Sequence, residues 1–584
     1  MFYISVVPAI RTPFGVDIFD YRVDDASDIW PGDLIRVPFR RRSLPALVVE
    51  RAEHSKYAGK ILGLNNVQSL VRFPARLVQL LNAAAARTFC SQATVLQAWL
   101  RKVPVHAATS SGRDYLAPTK GGHTGPPLQT KFDLTEYVVD RRARILEHAR
   151  QASGRTLIIT PWQYRADELA HALNASVIHA GIALGRAWQD WTQFVLNENS
   201  VLVATRLGAW LAHAADTVIL DEPENDDHKQ DELAPRLDAR WLINSTKKLN
   251  PNLAVIKIST TPALIETPRI STINIPDISV PQSAIPFEPG SYSAINEINA
   301  LTESKLQDAV ETGQPIVILH PIKGERARSV CRDCGWKAEC AFCGFPLSQL
   351  DTQAQCGRCG RKSGLPAACP ACGNADLGKS RTGKSKLACQ ISEQFPQAKI
   401  TILDLTEWRE YELEKNSLVV VTDLGLIGGY AEDIRRRERL IMAWRRLAAQ
   451  IAATASELVI QGQAPLLDEA RAWLTAEGIK TAWQKEWADR QVFNYPPASQ
   501  RIKILVDGTE AKAEGIKQRL EQAADGRYSI QGPFKVLFRS STRRPRWVIH
   551  LLPAATAKFS AIRTILQPLA KDTIIDLDPI AFFM

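Results

Sequence analysis

The sequence predicts an α/β multidomain protein, and three observations carry that prediction. Short, almost wholly apolar runs alternate with amphipathic helical stretches in two separate blocks, the pattern of parallel strands buried on both faces. Eight of the ten cysteines form four C-x-x-C pairs between Cys331 and Cys372, inside the second block. Two stretches rich in Gly, Pro, Ser or Thr divide the 584 residues where periodicity is lost.

Taken in chain order, residues 1–66 alternate apolar and polar residues, with turns at Thr12-Pro13 and Pro31-Gly32, and read as a small β domain. The opening MFYISVVPAIRTPFG lacks a basic n-region and an A-x-A site, so it is expected to be a strand rather than a signal peptide. Residues 67–105, including LVQLLNAAAA and ATVLQAWLRK, read as helical, and 106–130 as a linker. Residues 131–267 form the first α/β block: the helix YVVDRRARILEHARQA, then the strands TLIIT, SVIHA, SVLVAT, TVILDE and LAVIKIS. Residues 268–298 read as a second linker. Residues 299–490 hold the second block, with strands PIVILH, KITILD, SLVVVTD and ELVIQG and the cysteine module 329–374 inserted after the first. Both blocks read as RecA-like lobes. Residues 491–584 read as a C-terminal α+β domain.

Composition narrows the partners. At 45% hydrophobic and 23% charged the chain is ordinary globular protein, and no apolar run is long enough to span a membrane. The net charge of +10 favours a polyanion. Arginines cluster at Arg40-Arg41-Arg42, at Arg435-Arg436-Arg437 with Arg439, at Arg445-Arg446, and at Arg543-Arg544 with Arg546-Trp547. The last cluster joins guanidinium groups to an aromatic suited to stacking on a base. Together they point to nucleic acid.

The cysteine pairs Cys331/Cys334, Cys340/Cys343, Cys356/Cys359 and Cys369/Cys372 are the most specific signal. Each pair can grip one side of a tetrahedral Zn²⁺, so four pairs make two closed structural sites with no ligand position left for catalysis. Spacing leaves three ways to pair them. Cys90 and Cys389 lie outside and read as ordinary core cysteines; this usage suits a reducing cytosol.

This order of domains resembles the primosomal protein N′ (PriA) family of bacterial replication-restart DNA helicases. Several motifs carry the likeness: Phe19-Asp20-Tyr21 and Arg36-Val37-Pro38-Phe39, Thr160-Pro161, Thr205-Arg206, Asp221-Glu222-Pro223-Glu224, STTPALIET from Ser259, the eight cysteines, Tyr495-Pro496-Pro497, and Asp576-Leu577-Asp578-Pro579. The resemblance implies a winged-helix-like character for 67–105. It implies a pocket for a DNA 3′ end in 1–66, with Asp20 contacting the base between Phe19 and Tyr21 and the run Arg40–Arg42 nearby. It also implies nested zinc pairing: Cys331, Cys334, Cys369 and Cys372 on one ion, Cys340, Cys343, Cys356 and Cys359 on the other. Forked and single-stranded DNA, single-stranded DNA-binding protein, primosome components and the replicative helicase are the implied partners, in the cytoplasm at the nucleoid.

The chain departs from the family where ATP would be hydrolysed. Lys131–Tyr137 stands against the family's T-G-S-G-K-T-E, with Leu134 at the lysine position and Asp133 repelling phosphate. Gln450–Glu457 stands against Q-V-A-G-R-A-G-R, with Thr454 and Glu457 at the arginine positions. Asp221 and Glu222 then read as a vestige of a Mg²⁺ site. One further match, Gly378 to Ser385, fits the phosphate-loop pattern G-x-x-x-x-G-K-S through Gly378, Gly383, Lys384 and Ser385, but it follows a zinc ligand rather than a buried strand. The expectation is a DNA-binding scaffold that has lost helicase activity. The alternative is an active ATP-dependent 3′→5′ helicase with Mg²⁺-ATP as cofactor.

Overall fold

The computed structural model describes the chain except residues 1, 25–27, 41, 56, 58, 60, 66, 101–132, 198–199, 232–233, 287–296, 322–326, 332–335, 337, 342–346, 351–352, 357–360, 365, 376, 380–382, 429–433, 525, 527, 537–545, 554–556 and 581–584. No described helix is long and apolar enough to cross a membrane.

A six-stranded, largely antiparallel sheet opens the chain, from Phe2–Pro8 to Val71–Arg72. Its hairpin between Asp33–Phe39 and Arg42–Ala52 turns at Arg40, whose φ of 45° lies in the left-handed region that such tight turns require. The helices Ala75–Thr88 and Gln92–Leu100 follow. They share one apolar core with this sheet and with the first lobe, where Trp99 packs 4.5 Å from Phe73 and 5.6 Å from Trp210.

Both lobes are wholly parallel sheets. In the first, the strands run Leu134–Tyr137, Ala254–Ser259, Thr217–Asp221, Thr156–Ile159, Val201–Ala204 and Ser176–Ile178 across the sheet. In the second the order is Gln282–Pro286, Glu457–Gly462, Leu418–Val421, Ile316–Leu319 and Ile400–Leu403. Two sequence expectations are corrected here. Leu134–Tyr137 is an edge strand; its polar LTEY sequence hides it because only one side of it is covered. The stretch 268–298, read as a linker, contributes the edge strand Gln282–Pro286, where a proline's missing N–H costs nothing.

The cysteine module is a separate antiparallel sheet between Ile316–Leu319 and the helix Lys384–Gln394, so it is inserted in the second lobe. The last four strands, Ile502–Asp507, Ser529–Val536, Arg546–Leu552 and Ile574–Asp576, alternate with helices Glu510–Ala524 and Phe559–Leu566 as β-α-β-β-α-β. Their order across the sheet, second-third-first-fourth, is that of a ferredoxin-like unit.

Candidate functional site

The cleft between the lobes is where a nucleotide-driven motor would keep its chemistry. A phosphate-binding loop joins a parallel strand to the N-terminus of the next helix, where free amides meet the anion. Here that loop is Val138–Asp140, between Leu134–Tyr137 and the helix Arg141–Gln151. Leu134 is therefore not at the lysine position; it lies at the start of the strand, and Asp133 pairs with Lys247 at 3.3 Å outside the cleft. The loop itself holds neither glycine nor lysine. Asp140 caps the helix by accepting a hydrogen bond from Ala143 N at 2.9 Å, which puts a carboxylate where a phosphate would need amides.

Asp221 ends its strand, and Glu222 follows with φ 49°; both are fully buried. Guanidinium groups fill the space beside them. Arg141 donates to Asp221 Oδ1 at 3.1 Å and also pairs with Glu222. Arg446, from the second lobe, reaches Glu222 Oε2 at 2.9 Å, and Arg165 lies 3.7 Å from Asp221 Oδ2. Thr160 Oγ1 donates to Asp221 at 3.1 Å and Asn225 Nδ2 to Glu222 at 2.7 Å. Burial alone would raise the Glu222 carboxyl, but Arg141 and Arg446 overcome it and hold the group down to about 2. Burial, reinforced by the Glu222 charge, pushes Glu224 up to about 7. The acidic pair is neutralised from within. Sequence reasoning missed Arg141 and counted Arg446 in a cluster meant for nucleic acid; the local signal of each was an Arg-Arg pair at a helical position.

The second lobe needs a further correction. Thr454 caps a helix end with its hydroxyl on Ile451 O at 2.9 Å, and Glu457 starts a strand and pairs with Lys305 at 3.4 Å. Among the described residues, the second lobe's cation at the acidic pair is Arg446. The arginine clusters around it also serve the protein itself. Arg435 pairs with Asp226 at 2.8 Å and Arg439 with the same carboxylate at 3.2 Å, while the fully buried Arg445 donates to the carbonyls of Thr260 and Pro276 at 3.2 and 3.0 Å. Arg435, Arg439 and Arg445 thus make contacts within the protein, while Arg436 is exposed.

In the phosphate-loop look-alike, Gly378 lies in Leu377–Lys379, which pairs antiparallel with Ser329–Cys331 of the cysteine module and not with the lobe's parallel sheet. Gly383 precedes the helix that starts at Lys384; Lys384 pairs with Glu407, and Ser385 is exposed.

The thiols of Cys331, Cys369 and Cys372 all lie within 4.8 Å of one another and could hold a metal ion. Cys331 Sγ is 3.6 Å from Cys372 Sγ, close to the edge of about 3.8 Å for a tetrahedron with Zn–S near 2.3 Å. The turn at Cys369–Cys372 is shaped for a ligand: Ala371 N donates to Cys369 Sγ at 3.4 Å, and Gly373 takes φ +76°. Of the three pairings open from spacing, only the outer one brings these thiols together. Cys340 and Cys356 are buried in a small core with Ala338, Leu347 and Ala354. Cys334, Cys343 and Cys359 lie outside the described residues. Cys389, expected in a core, is exposed, and Cys90 is half-buried.

In the first domain Asp20 is half-buried and accepts hydrogen bonds from Ser5 Oγ at 2.8 Å and from Ser55 Oγ. Phe19 packs edge-on to Phe39 at 5.0 Å. Tyr21 shares the face of Phe19, opposite Asp20: it is buried, with its hydroxyl on Pro38 O at 2.8 Å, and supports the strand rather than a ligand. Arg40 and Arg42 are exposed at the hairpin tip; Arg41 lies outside the described residues. At the other end of the chain Arg543 and Arg544 also lie outside them. Arg546 is bound to Asp507, and Trp547 is 7% exposed with its indole on Gly508 O at 3.1 Å, so it is no stacking platform. Asp576 and Asp578 bind Lys229 and Arg87, which ties the last domain to the first lobe and to the Ala75–Thr88 helix.

Comparison with known proteins agrees in one direction. The family model described as "3'DNA-binding domain (3'BD)" of PriA matches residues 9–101, which take in the opening sheet after its first strand and the two helices that follow. The chain is similar to the replication restart protein PriA of Bacillus subtilis, 22% identical over 39% of this chain and 30% of that protein. It is likewise similar to that of Thermotoga maritima, 23% identical over 50% and 39%. The chain thus spans well under two thirds of these two relatives. With the probable replication restart protein PriA of Mycobacterium leprae it is 23% identical over 90% of both chains. Among solved structures, the RNA-helicase Prp28 from Chaetomium thermophilum bound to ADP is 13% identical over 73% of this chain and 88% of that one; the TM-score is 0.17, too slight a likeness to carry structure or function across.

Proposed function

We propose that this chain, which belongs to the PriA replication restart family, binds forked DNA at a strand's 3′ end and scaffolds replication restart without ATP-driven unwinding. Recognition is assigned to the opening domain, where Asp20 offers a carboxylate to the donors of a terminal base and the Arg40–Arg42 hairpin tip approaches phosphate. Single-stranded DNA-binding protein, primosome components and the replicative helicase are the proposed partners, at the nucleoid in the cytoplasm. Two Zn²⁺ ions are assigned to the cysteine module, Cys331, Cys334, Cys369 and Cys372 holding one and Cys340, Cys343, Cys356 and Cys359 the other. Their chemistry would be structural: closing a small sheet that has little core of its own.

One observation carries the non-catalytic half of this reading. The carboxylates that would hold Mg²⁺ are already balanced by Arg141 and Arg446, and the strand-to-helix loop beside them offers Val138, Val139 and Asp140 instead of glycines and lysine. The test measures affinity for a fork with a leading-strand 3′ hydroxyl against the same fork with that end blocked, with and without Mg²⁺-ATP, alongside DNA-stimulated ATP turnover. The expected result is weakening of about tenfold or more on blocking, no effect of ATP, and no turnover. Robust turnover would remove the non-catalytic assignment; equal affinity for both forks would remove the 3′-end assignment.

A further inference from the structure

We infer that the helix Arg436–Ala453, with Arg435 just before it, is a built-in latch that holds the two lobes together independently of nucleotide. Arg435, Arg439 and Arg446 are four and seven residues apart, which places them on one stripe of the helix. Each reaches a carboxylate of the first lobe. Arg435 and Arg439 share Asp226 at 2.8 and 3.2 Å, and Arg446 meets Glu222 at 2.9 Å. Arg445 adds its bonds to Thr260 O and Pro276 O, and Trp483 Nε1 donates to Pro262 O at 2.9 Å. Trp162 of the first lobe lies beneath both Arg409 and Arg446, whose guanidinium carbons are 5.5 and 5.2 Å from its ring.

In a two-lobed motor the cations of one lobe meet a nucleotide's phosphates held by the other, and closure follows ligand binding. Here carboxylates of the opposing lobe stand where phosphate charge would be needed. A ligand shifts a conformational equilibrium only by its differential affinity for the two states. Arg435, Arg439 and Arg446 are already partnered, so Mg²⁺-ATP gains little by drawing these three to it. Glu222 is fully buried and Asp226 largely so, so moderate salt screens these pairs weakly. The inference concerns lobe movement and is separable from DNA recognition by the opening domain.

The test uses the full chain. Small-angle scattering gives the radius of gyration, and hydrogen exchange reports amides 222–228, in buffer and with Mg²⁺-ATP. The wild type is expected to be unchanged by Mg²⁺-ATP on both readouts. The Arg435→Gln/Arg439→Gln/Arg446→Gln variant is expected to expand and to exchange about tenfold faster at 222–228, with its far-ultraviolet circular dichroism retained. If that variant fails to fold, the charge-matched Arg446→Gln/Glu222→Gln variant carries the same comparison. A folded variant with unchanged radius and exchange overturns the latch, and so does a wild type whose radius changes on adding Mg²⁺-ATP.

Discussion

Arg141→Met is the most informative single perturbation of the cleft. It removes the guanidinium that faces both Asp221 and Glu222 and keeps most of the apolar stem. The Arg141 side chain is 11% exposed and the two carboxylates 0%. Removing one partner of a buried ion pair costs about 3–5 kcal/mol, because a charge is left without compensation. Glu222 keeps Arg446, and Asp221 keeps Thr160 and a longer contact with Arg165, so the low end of about 3 kcal/mol is the fitting magnitude here. For a unit of this lobe's size each kcal/mol moves Tm by about 2–4 °C, which gives a loss of about 6–12 °C at pH 7. The deficit should shrink with acid. Glu222 is held below its unfolded pKa by its cations, so the stability it contributes is present above the ordinary carboxylate range and lost as pH falls towards about 2. Protonation therefore erases in the wild type what the substitution removes. Millimolar Mg²⁺ should raise the Tm of the variant and leave the wild type unmoved, since only the variant has uncompensated carboxylates to offer it. Thermal melts by circular dichroism at pH 7 and in steps down to about pH 3, across the interval in which the Glu222 contribution is lost, decide the matter. A variant within about 2 °C of wild type at pH 7 would refute the claim that Arg141 balances the acidic pair.

Two further outcomes follow from the same structure. Metal analysis of Cys331→Ser, Cys372→Ser and Cys340→Ser should show one equivalent lost in each. The Cys331→Ser/Cys372→Ser pair should lose no more than either alone, while Cys331→Ser/Cys340→Ser loses two; any other additivity breaks the nested pairing. Glu224 is raised, so the folded state keeps a proton that the unfolded chain releases, and its contribution falls as pH rises from about 4.5 towards about 7. Glu224→Gln should therefore gain Tm over wild type from pH 5 to pH 8. A difference that is flat or shrinks over that range would show that Glu224 is ionised throughout.

Much of the fold could be read from the sequence because burial writes it there. Strands such as Leu418–Val421 and Thr156–Ile159 are covered on both faces, and their sequences are apolar throughout. The cysteine pairs were legible because metal ligation fixes residue type and spacing together. What stayed hidden has physical causes. Leu134–Tyr137 and Gln282–Pro286 are edge strands, half-covered and therefore half-polar, so one was mistaken for a loop and the other for a linker. The first error moved the phosphate-loop position away from Val138–Asp140. In Phe19-Asp20-Tyr21 the strand's alternation sends Tyr21 into the core, and Trp547 likewise lies inside its sheet. The arginines from Arg435 to Arg446 looked like part of a polyanion surface because their partners are distant: Arg435 and Asp226 are separated by 209 residues. No local pattern records such a pairing.

The surviving acidic box then has an explanation that does not need catalysis. Asp221 and Glu222 are buried, and without a cation beside them each would cost several kcal/mol. Arg141 and Arg446 supply the missing charge. Once they do, each member holds the others in place. Loss of a carboxylate strands an arginine, and loss of an arginine strands a carboxylate, each at about 3–5 kcal/mol, a large part of a typical domain's stability. Replacing the whole set together by neutral side chains of similar volume would cost little or even stabilise, but single substitutions cannot reach that state without passing through the costly ones. Asp221 and Glu222 are held here by charge balance with Arg141 and by the contact of Glu222 with Arg446 of the second lobe.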